Sequence, residues 1–330
     1  MAPPSPPLLP IPLPTLPLPD AACFASTSTS PATPPTPTLL DFATLLPADE
    51  AFWRAHDEIE RLGRGCFGSV LLVRQRSTRR VVAVKVTAST KRDCDDQCPL
   101  REAELLRAVG RHPHVCRLLD VFQTATTLFI LQEAERTDLM AHTLAQPAGV
   151  LTEDEARRHL QGLLCAVQHI HALGIVHRDI KATNVLLSSE GSVRLADFGL
   201  AARLPDDGLL TAVCGTHDYL APEMVRCGHG ETEGYSTPVD LWGVGLLLYA
   251  LLFGSNPFER STDIETLQAI LAGDFALPPR AAPAAPAAPP STTREAQELI
   301  AQLLVTDPHA RLSAQQALDH GWLRPVAAAS

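Results

Sequence analysis

The stretch HRDIKATNVLL, residues 177–187, follows the apolar run AVQHIHALGIV at 166–176. Within it His177, Arg178, Asp179, Lys181 and Asn184 place an acid, a base and an amide two and three positions apart, between two buried-looking segments. A solvated loop can carry such residues by accident. A loop clamped between core segments is also where a rigid scaffold displays reactive side chains. The next segment, VLLSSEGSVRLA (185–196), reads as a small hairpin and is followed by Asp197-Phe198-Gly199. A hairpin there folds Asp197 back toward Asp179 and Asn184. Carboxylates and an amide that converge on a phosphate site are hard-oxygen ligands suited to Mg2+.

Upstream, Leu62-Gly63-Arg64-Gly65-Cys66-Phe67-Gly68-Ser69-Val70 contains G-x-G-x-x-G. Glycines at this spacing let backbone N–H groups approach phosphates closely. A dinucleotide-binding fold needs the glycines to open a helix. Here they lead into SVLLVRQ, a strand pattern, so the loop is expected to be a β-hairpin turn. The next β-branched run, RVVAVKVT, carries Lys85. That lysine either snorkels from an edge or serves as a buried counter-charge for an anion. CPLREAELLRAV predicts a helix in which Leu105, Leu106 and Val109 share a face with Glu102, while Glu104 points elsewhere. An acid at 102 facing the sheet would hold the Lys85 ammonium in place.

Strand patterns dominate from residue 57 to about 133, and helices follow. TEDEARRHLQGLLCAVQHIHAL opens with a capping box, Thr152-x-x-Glu155. STPVDLWGVGLLLYALLFG and REAQELIAQLL predict two more helices. The order, strands first and helices later, predicts an α+β fold with a small β-rich lobe and a larger helical lobe. GVGLLLYALLFG (243–254) is the longest strongly apolar run and falls short of the roughly 18 residues of a membrane span. It reads as a core helix.

The 330 residues carry a formal charge of −10, which argues against non-specific binding to nucleic acid or anionic membranes. Eight scattered cysteines make no disulfide framework, so reduced thiols and an intracellular setting, cytoplasm and/or nucleus, are expected. No Lys or Arg precedes Arg54, which supports neither a secretory nor a mitochondrial leader; the Ser/Thr stretch 26–33 leaves a plastid transit peptide open. Residues 1–50 are expected to be a disordered Pro-rich tail, since proline lacks the backbone donor that helices and sheets need. PPSPPLLPIPLPTLPLP within it could also serve a proline-binding module, and Ser30, Thr33 and Thr36 each precede a proline. A second Pro/Ala stretch, 278–290, reads as an inserted loop.

With Ala221-Pro222-Glu223 closing the segment that starts at Asp197, five motifs stand in one order across residues 57–323. Together they resemble the signature set of the eukaryotic protein kinases, serine/threonine type. The resemblance implies a bilobal kinase domain: N-lobe 57–132, hinge 133–137, C-lobe 138–323, and a short tail 324–330. It implies ATP and Mg2+ as cofactors and protein substrates as partners. The glycine loop would cover ATP, Lys85 would meet its α- and β-phosphates and pair with Glu102, and Asp179 would accept or orient the proton of the attacking hydroxyl. Lys181 would stabilise the phosphoryl in transfer, and Asn184 and Asp197 would hold Mg2+. Backbone groups of Glu133 and Glu135 would meet adenine, with Gln132 gating the pocket behind it. Val70, Ala83 and Leu186 would sandwich the base. Leu106, Leu118, His177 and Phe198 would form the regulatory apolar column anchored on Asp240, and Arg311 would pair with Glu223.

Lys181 and Thr216 resemble the serine/threonine type, and LLVTDPHARLSAQQALDHGWL (303–323) resembles the calcium/calmodulin-dependent group. Only RPVAAAS follows Leu323, so calmodulin control in cis is not expected. Three departures stand out. Ala182-Thr183 replaces the family's Pro-Glu, and Ala250 replaces a second acid that reads substrate arginine, leaving Asp138 as a remaining acidic contact. Ala212 stands at the usual activation-segment phosphosite, with Thr211 one residue early. The competing readings are a pseudokinase-like scaffold, which would lack Lys85, Asp179 or Asp197, and a small-molecule kinase, which would lack the Ala-Pro-Glu segment and the Thr216 pocket.

Overall fold

The computed structural model describes residues 49–65, 68–89, 99–135, 137–278 and 292–324. The side chains of Arg64, Gly65 and Pro99 lie outside this description, as do Cys66, Phe67, Arg136, the Pro-rich tail to residue 48 and most of the Pro/Ala stretch. Among the described residues, the first half builds β1 (His56–Gly65), β2 (Gly68–Gln75), β3 (Val81–Ala88), β4 (Leu118–Gln123) and β5 (Thr127–Glu133). They form an antiparallel sheet in the order β1-β2-β3-β5-β4. Two helices flank it, α1 (Glu50–Ala55) and α2 (Pro99–Val109).

The apolar run of β5 has no alternation because both faces of the sheet are covered. Leu128 and Ile130 join the cluster containing Ala103, Leu105, Leu106 and Val109 of α2. Phe129 and Leu131 point the other way and pack with Phe52, Leu71, Val73, Val82 and Val84. Glu102 lies on the buried face of α2 and Glu104 on the exposed one, as the helical period requires. The helix α1 was not legible in the sequence. It extends the folded unit back to Asp49: Phe52 stacks on Phe129 at 4.0 Å between centroids, and the buried Asp49 carboxylate accepts from Thr124 and Thr127 hydroxyls at 2.8 and 2.9 Å.

The second half is mainly helical, with α3 (Leu139–Leu144), α4 (Glu153–Ala172), α5 (Pro222–Gly228), α6 (Pro238–Phe253), α7 (Asp263–Ala272), α8 (Arg294–Leu303) and α9 (Ala314–Leu318). Short strands join them: β6 (Thr137–Asp138), β8 (Val185–Leu187) and β9 (Val193–Leu195) in one small sheet, β7 (Ile175–Val176) and β10 (Ala202–Arg203) in another. This is the expected α+β division into a sheet lobe and a helical lobe. The Thr152–Glu155 capping box opens α4, with both reciprocal hydrogen bonds made. The helix α6 is apolar all round because it runs through the core. Its glycines permit close packing: a Cβ on Gly245 would meet Leu304 at 2.8 Å, and one on Gly243 would meet the Ile180 carbonyl at 3.0 Å. Among the described residues no helix is long and apolar enough to cross a membrane.

A buried ion pair ties the end of the helical half to its middle. Arg311 meets both oxygens of Glu223 at 2.7 and 2.9 Å, donates to the carbonyls of Val305 and Pro238, and lies over the Trp242 ring. Removing one partner would leave a buried charge unmatched. Arg311→Ala is therefore expected to lower unfolding stability by about 3–5 kcal/mol, read by chemical denaturation against the wild-type chain.

Candidate active site

The loop after β7 is held from below by a single buried carboxylate. Asp240, in the first turn of α6, accepts from the backbone N–H of His177 at 2.9 Å and of Arg178 at 2.8 Å, and pairs with His171 Nε2 at 2.7 Å. Burial alone would push its pKa up; the hydrogen bond and charge of His171, with His177, outweigh burial and hold it below the usual carboxylate range. The anchor lets Arg178 keep a left-handed backbone, φ 68°, which a non-glycine residue adopts only when its surroundings enforce it. His177 Nδ1 accepts from the Asp179 N–H, so its Nε2 is the donor to the Ala196 carbonyl at 3.0 Å.

Asp179 then sits at the centre of a polar web. One oxygen accepts from the Thr216 N–H and hydroxyl at 3.2 and 2.9 Å. The other meets Asn184 Nδ2 at 2.9 Å and Lys181 Nζ at 2.8 Å. Lys181 also donates to the Thr216 hydroxyl at 2.6 Å. The residues predicted at two- and three-residue spacing therefore converge, with Thr216 as their fourth member.

The β8–β9 hairpin brings the second acid, as its sequence suggested: Ala196 N–H donates to the Asn184 carbonyl at 2.9 Å. Asp197 follows with φ 57° and accepts from Lys85 Nζ at 2.7 Å. The same ammonium donates to Glu102 at 2.8 Å, so β3, α2 and the segment after β9 meet at one cation. Burial opposes the Lys85 charge, but the two carboxylates more than offset it and its pKa lies above the ordinary lysine value. Asp197 is held below its usual range, burial being outweighed by Lys85. Burial pushes Glu102 up. Phe198 is fully buried and packs edge-on to His177, centroids 5.0 Å apart, with Leu106 and partly buried Leu118 in the same core.

Above this centre the glycine loop is the β1–β2 turn, with Gly65 opposite Gly68. Gly68 has φ 132°, and a Cβ there would lie 2.1 Å from the Val86 carbonyl, so no other residue fits. Ser69 is buried beside it, whereas Leu62 is exposed and Gly63 open. Val70, Ala83 and Leu186 are only partly buried, unlike the core strands around them. Cys66 and Phe67 lie outside the described residues. At the back, Gln132 Nε2 is buried with no hydrogen-bond partner among the described residues. The Glu133 N–H is given to the Arg117 carbonyl at 3.1 Å, and the Glu133 carbonyl accepts from Cys116 Sγ at 3.7 Å.

The side chains of Glu133 and Glu135 do something the sequence did not signal. Arg80 and Arg117 approach Glu133 at 3.5 and 3.6 Å, while Arg194 of β9 pairs with Glu133 and, at 3.0 Å, with Glu135. An arginine in a short strand gives no sign of its cross-lobe partner. Burial raises the Glu135 pKa against the pull of Arg194, and burial pushes the neighbouring Cys116 thiol up to about 12, an inert structural thiol. Thr211 is exposed, and its carbonyl accepts from Cys227 Sγ at 3.5 Å. Asp138 spends one oxygen capping α3 through the Ala141 N–H at 2.8 Å, and Thr183 is exposed.

The donor set suits Mg2+. Asn184 uses its amide nitrogen on Asp179, leaving its carbonyl oxygen, and Asp197 uses one oxygen on Lys85 and Gly199. No cluster of three or more His, Cys, Asp or Glu that could cage a metal occurs among the described residues. Mg2+ is characteristically bound by one or two protein oxygens plus substrate phosphates. The orphaned Gln132 amide and the part-open Val70, Ala83 and Leu186 suit a polar, flat group between the lobes.

The protein kinase domain family model matches residues 56–323. The liver/testis isoform of the phosphorylase b kinase gamma catalytic chain from Homo sapiens is 34% identical over 283 residues, 83% of this chain and 67% of that protein. Serine/threonine-protein kinase H1 from Homo sapiens is 36% identical over 276 residues, 82% of this chain and 61% of that protein. The chain spans about two thirds of the length of these relatives. It belongs to the protein kinase family and is a protein serine/threonine kinase that uses ATP and Mg2+.

A methyl group at Gly199 would fall 3.0 Å from Lys85 Nζ and 3.1 Å from Asp197. Gly199→Ala must therefore displace the lysine or the acid. The expected outcome is a kcat reduced about tenfold, the effect of ~1.4 kcal/mol at the transition state, with a melting temperature close to wild type.

Proposed function

We propose that the chain phosphorylates serine and threonine in proteins with the following division of labour. Asp179 orients the acceptor hydroxyl and takes its proton, held in place by Asn184 and Thr216. Lys181, bridging Asp179 and Thr216, places positive charge where the phosphoryl passes. Lys85, fixed by Glu102, binds the α- and β-phosphates, and the backbone of Glu133 and Glu135 holds adenine. Asn184 and Asp197 would hold Mg2+, which when bound neutralises charge on the phosphates. Such transfer depends on positioning and electrostatic stabilisation rather than on a strong nucleophile. The observation that carries the reading is the pair of polar centres, Lys85 with Glu102 and Asp197, and Asp179 with Lys181 and Thr216, tied together where Ala196, the residue before Asp197, donates its N–H to the Asn184 carbonyl.

Selection among substrates follows from what is missing. An arginine side chain entering the peptide groove would find neutral Thr183 and Ala250, and an Asp138 partly committed to its helix cap. Without a carboxylate, a charge-assisted hydrogen bond of roughly 1.5–3 kcal/mol is forgone. The enzyme is therefore broad in substrate and only weakly selective for arginine near the acceptor. The proline-rich segment at 3–19 suits the aromatic groove of a proline-binding module.

Purified protein with Mg-ATP and a positional peptide library tests both claims. Phosphate on Ser and Thr, lost by at least about a hundredfold in Asp179→Ala, with a shallow preference for arginine, is the expected result. Activity unaffected in Asp179→Ala sinks the assignment of roles; strong arginine selection two residues upstream sinks the account of selectivity.

A further inference from the structure

The segment between Asp197 and Glu223 must hold Thr216 against Asp179 and Lys181, and a phosphate gripped by an arginine is one way to hold such a segment. In this chain the arginine that precedes Asp179 is already engaged elsewhere. Arg178 Nε donates to the Leu200 carbonyl at 2.6 Å, and its NH1 donates to the Tyr235 hydroxyl at 3.1 Å. The Tyr235 hydroxyl in turn donates to the Ala212 carbonyl. We propose that Tyr235 is a positioning residue that holds the activation segment in its working shape without a phosphate, by bridging Arg178 to the backbone of Ala212.

The chemistry of the gap selects a hydroxyl. On one side stands a guanidinium, which can only donate; on the other a carbonyl oxygen, which can only accept. A phenol both accepts and donates, so it satisfies the two at once. A phosphate dianion would satisfy the guanidinium and be repelled by the carbonyl. Burial keeps the Tyr235 proton in place by raising its pKa well above the usual phenol value, against the opposing pull of Arg178. Both Tyr235 and Arg178 are nearly inaccessible to solvent.

The backbone around the phenol is built to bring it there. Leu210 and Tyr235 exchange two N–H to carbonyl bonds of 2.8 Å, an isolated antiparallel bridge between the segment and the approach to α6. Gly234 lets the two chains close, since a Cβ at that position would lie 2.7 Å from the Leu210 carbonyl. Further on, Gly215 at φ 113° passes the Arg178 carbonyl so closely that a Cβ would lie 2.8 Å from it. The segment is thus fastened at Leu210, Ala212 and Thr216, and the phenol supplies the fastening at the position where the family usually carries a phosphate.

The inference rests on Asp179 being the residue that orients the acceptor, and two experiments separate its failure from that of the reading beneath it. The first uses the wild-type chain co-expressed with a phosphatase and shown by mass spectrometry to be unphosphorylated. Its peptide phosphorylation should start linearly, without a lag. A lag that ends as Thr211 gains phosphate overturns the inference, whereas no activity under any condition overturns the kinase roles themselves.

The second uses Tyr235→Phe, which keeps the ring and the backbone bridge and removes only the hydroxyl. Its kcat/KM for peptide should fall about tenfold or more, with amide exchange accelerated at 210–216, while Mg-ATP affinity stays within about twofold of wild type. Unchanged peptide kinetics overturn the inference. So does an equal loss of Mg-ATP binding, which would mark Tyr235 as a general structural residue.

Discussion

The Asp240 carboxylate is the constraint on which the site depends. It lies at the start of a helix that is itself core on every side, so its position is set by the packing of the whole helical half. From there it fixes two consecutive backbone N–H groups, those of His177 and Arg178. Two adjacent N–H groups aimed at one carboxylate leave the chain little freedom, and Arg178 takes a left-handed conformation as a result. That conformation throws its guanidinium toward Leu200 and Tyr235 while Asp179 faces Thr216 and Asn184. One buried acid therefore organises the loop that carries Asp179 and, through Arg178, the segment that carries Thr216.

The other half of the site depends on a cation rather than an anion. Lys85 is almost fully buried, and a lone ammonium there would be expelled or neutralised. Glu102 and Asp197 together reverse that, one from α2 and one from the segment after β9. Because the partners come from different elements, the charge is satisfied only when all three elements are in place. Gly199 completes the fit by leaving no side chain between them. The assembled centre is thus a property of the sheet, the helix and the hairpin jointly.

Much of this was legible in the sequence because the decisive contacts are local or patterned. Asp179, Lys181 and Asn184 lie within six residues, and the hairpin that returns Asp197 is written in its own turn residues. Glu102 could be placed on the inner face of α2 from helical period alone. What stayed hidden has no local signature. Phe52 sits just beyond a proline-rich run and packs on a ring 77 positions away, residue 129, so nothing nearby marks it as core. Arg194 alternates unremarkably in a three-residue strand, yet ties Glu133 and Glu135. Tyr235 follows a glycine in a loop, and its hydroxyl finds partners 57 and 23 positions away. The departures at Thr183 and Ala212 were visible as oddities. The meaning of Ala212, a backbone carbonyl held by a phenol, needed the third dimension.

Asp240→Asn puts the central claim to the most direct test. The substitution keeps shape but leaves one oxygen to serve two buried N–H groups, and an unmet donor of this kind costs about 1–3 kcal/mol. The account predicts that kcat for peptide phosphorylation falls roughly ten- to a hundredfold while the affinity for Mg-ATP, which the proposed roles assign to Lys85 and the 133–135 backbone, changes little. A variant that turns over peptide at the wild-type rate would contradict it, because the catalytic loop would then be holding Asp179 in place without its anchor.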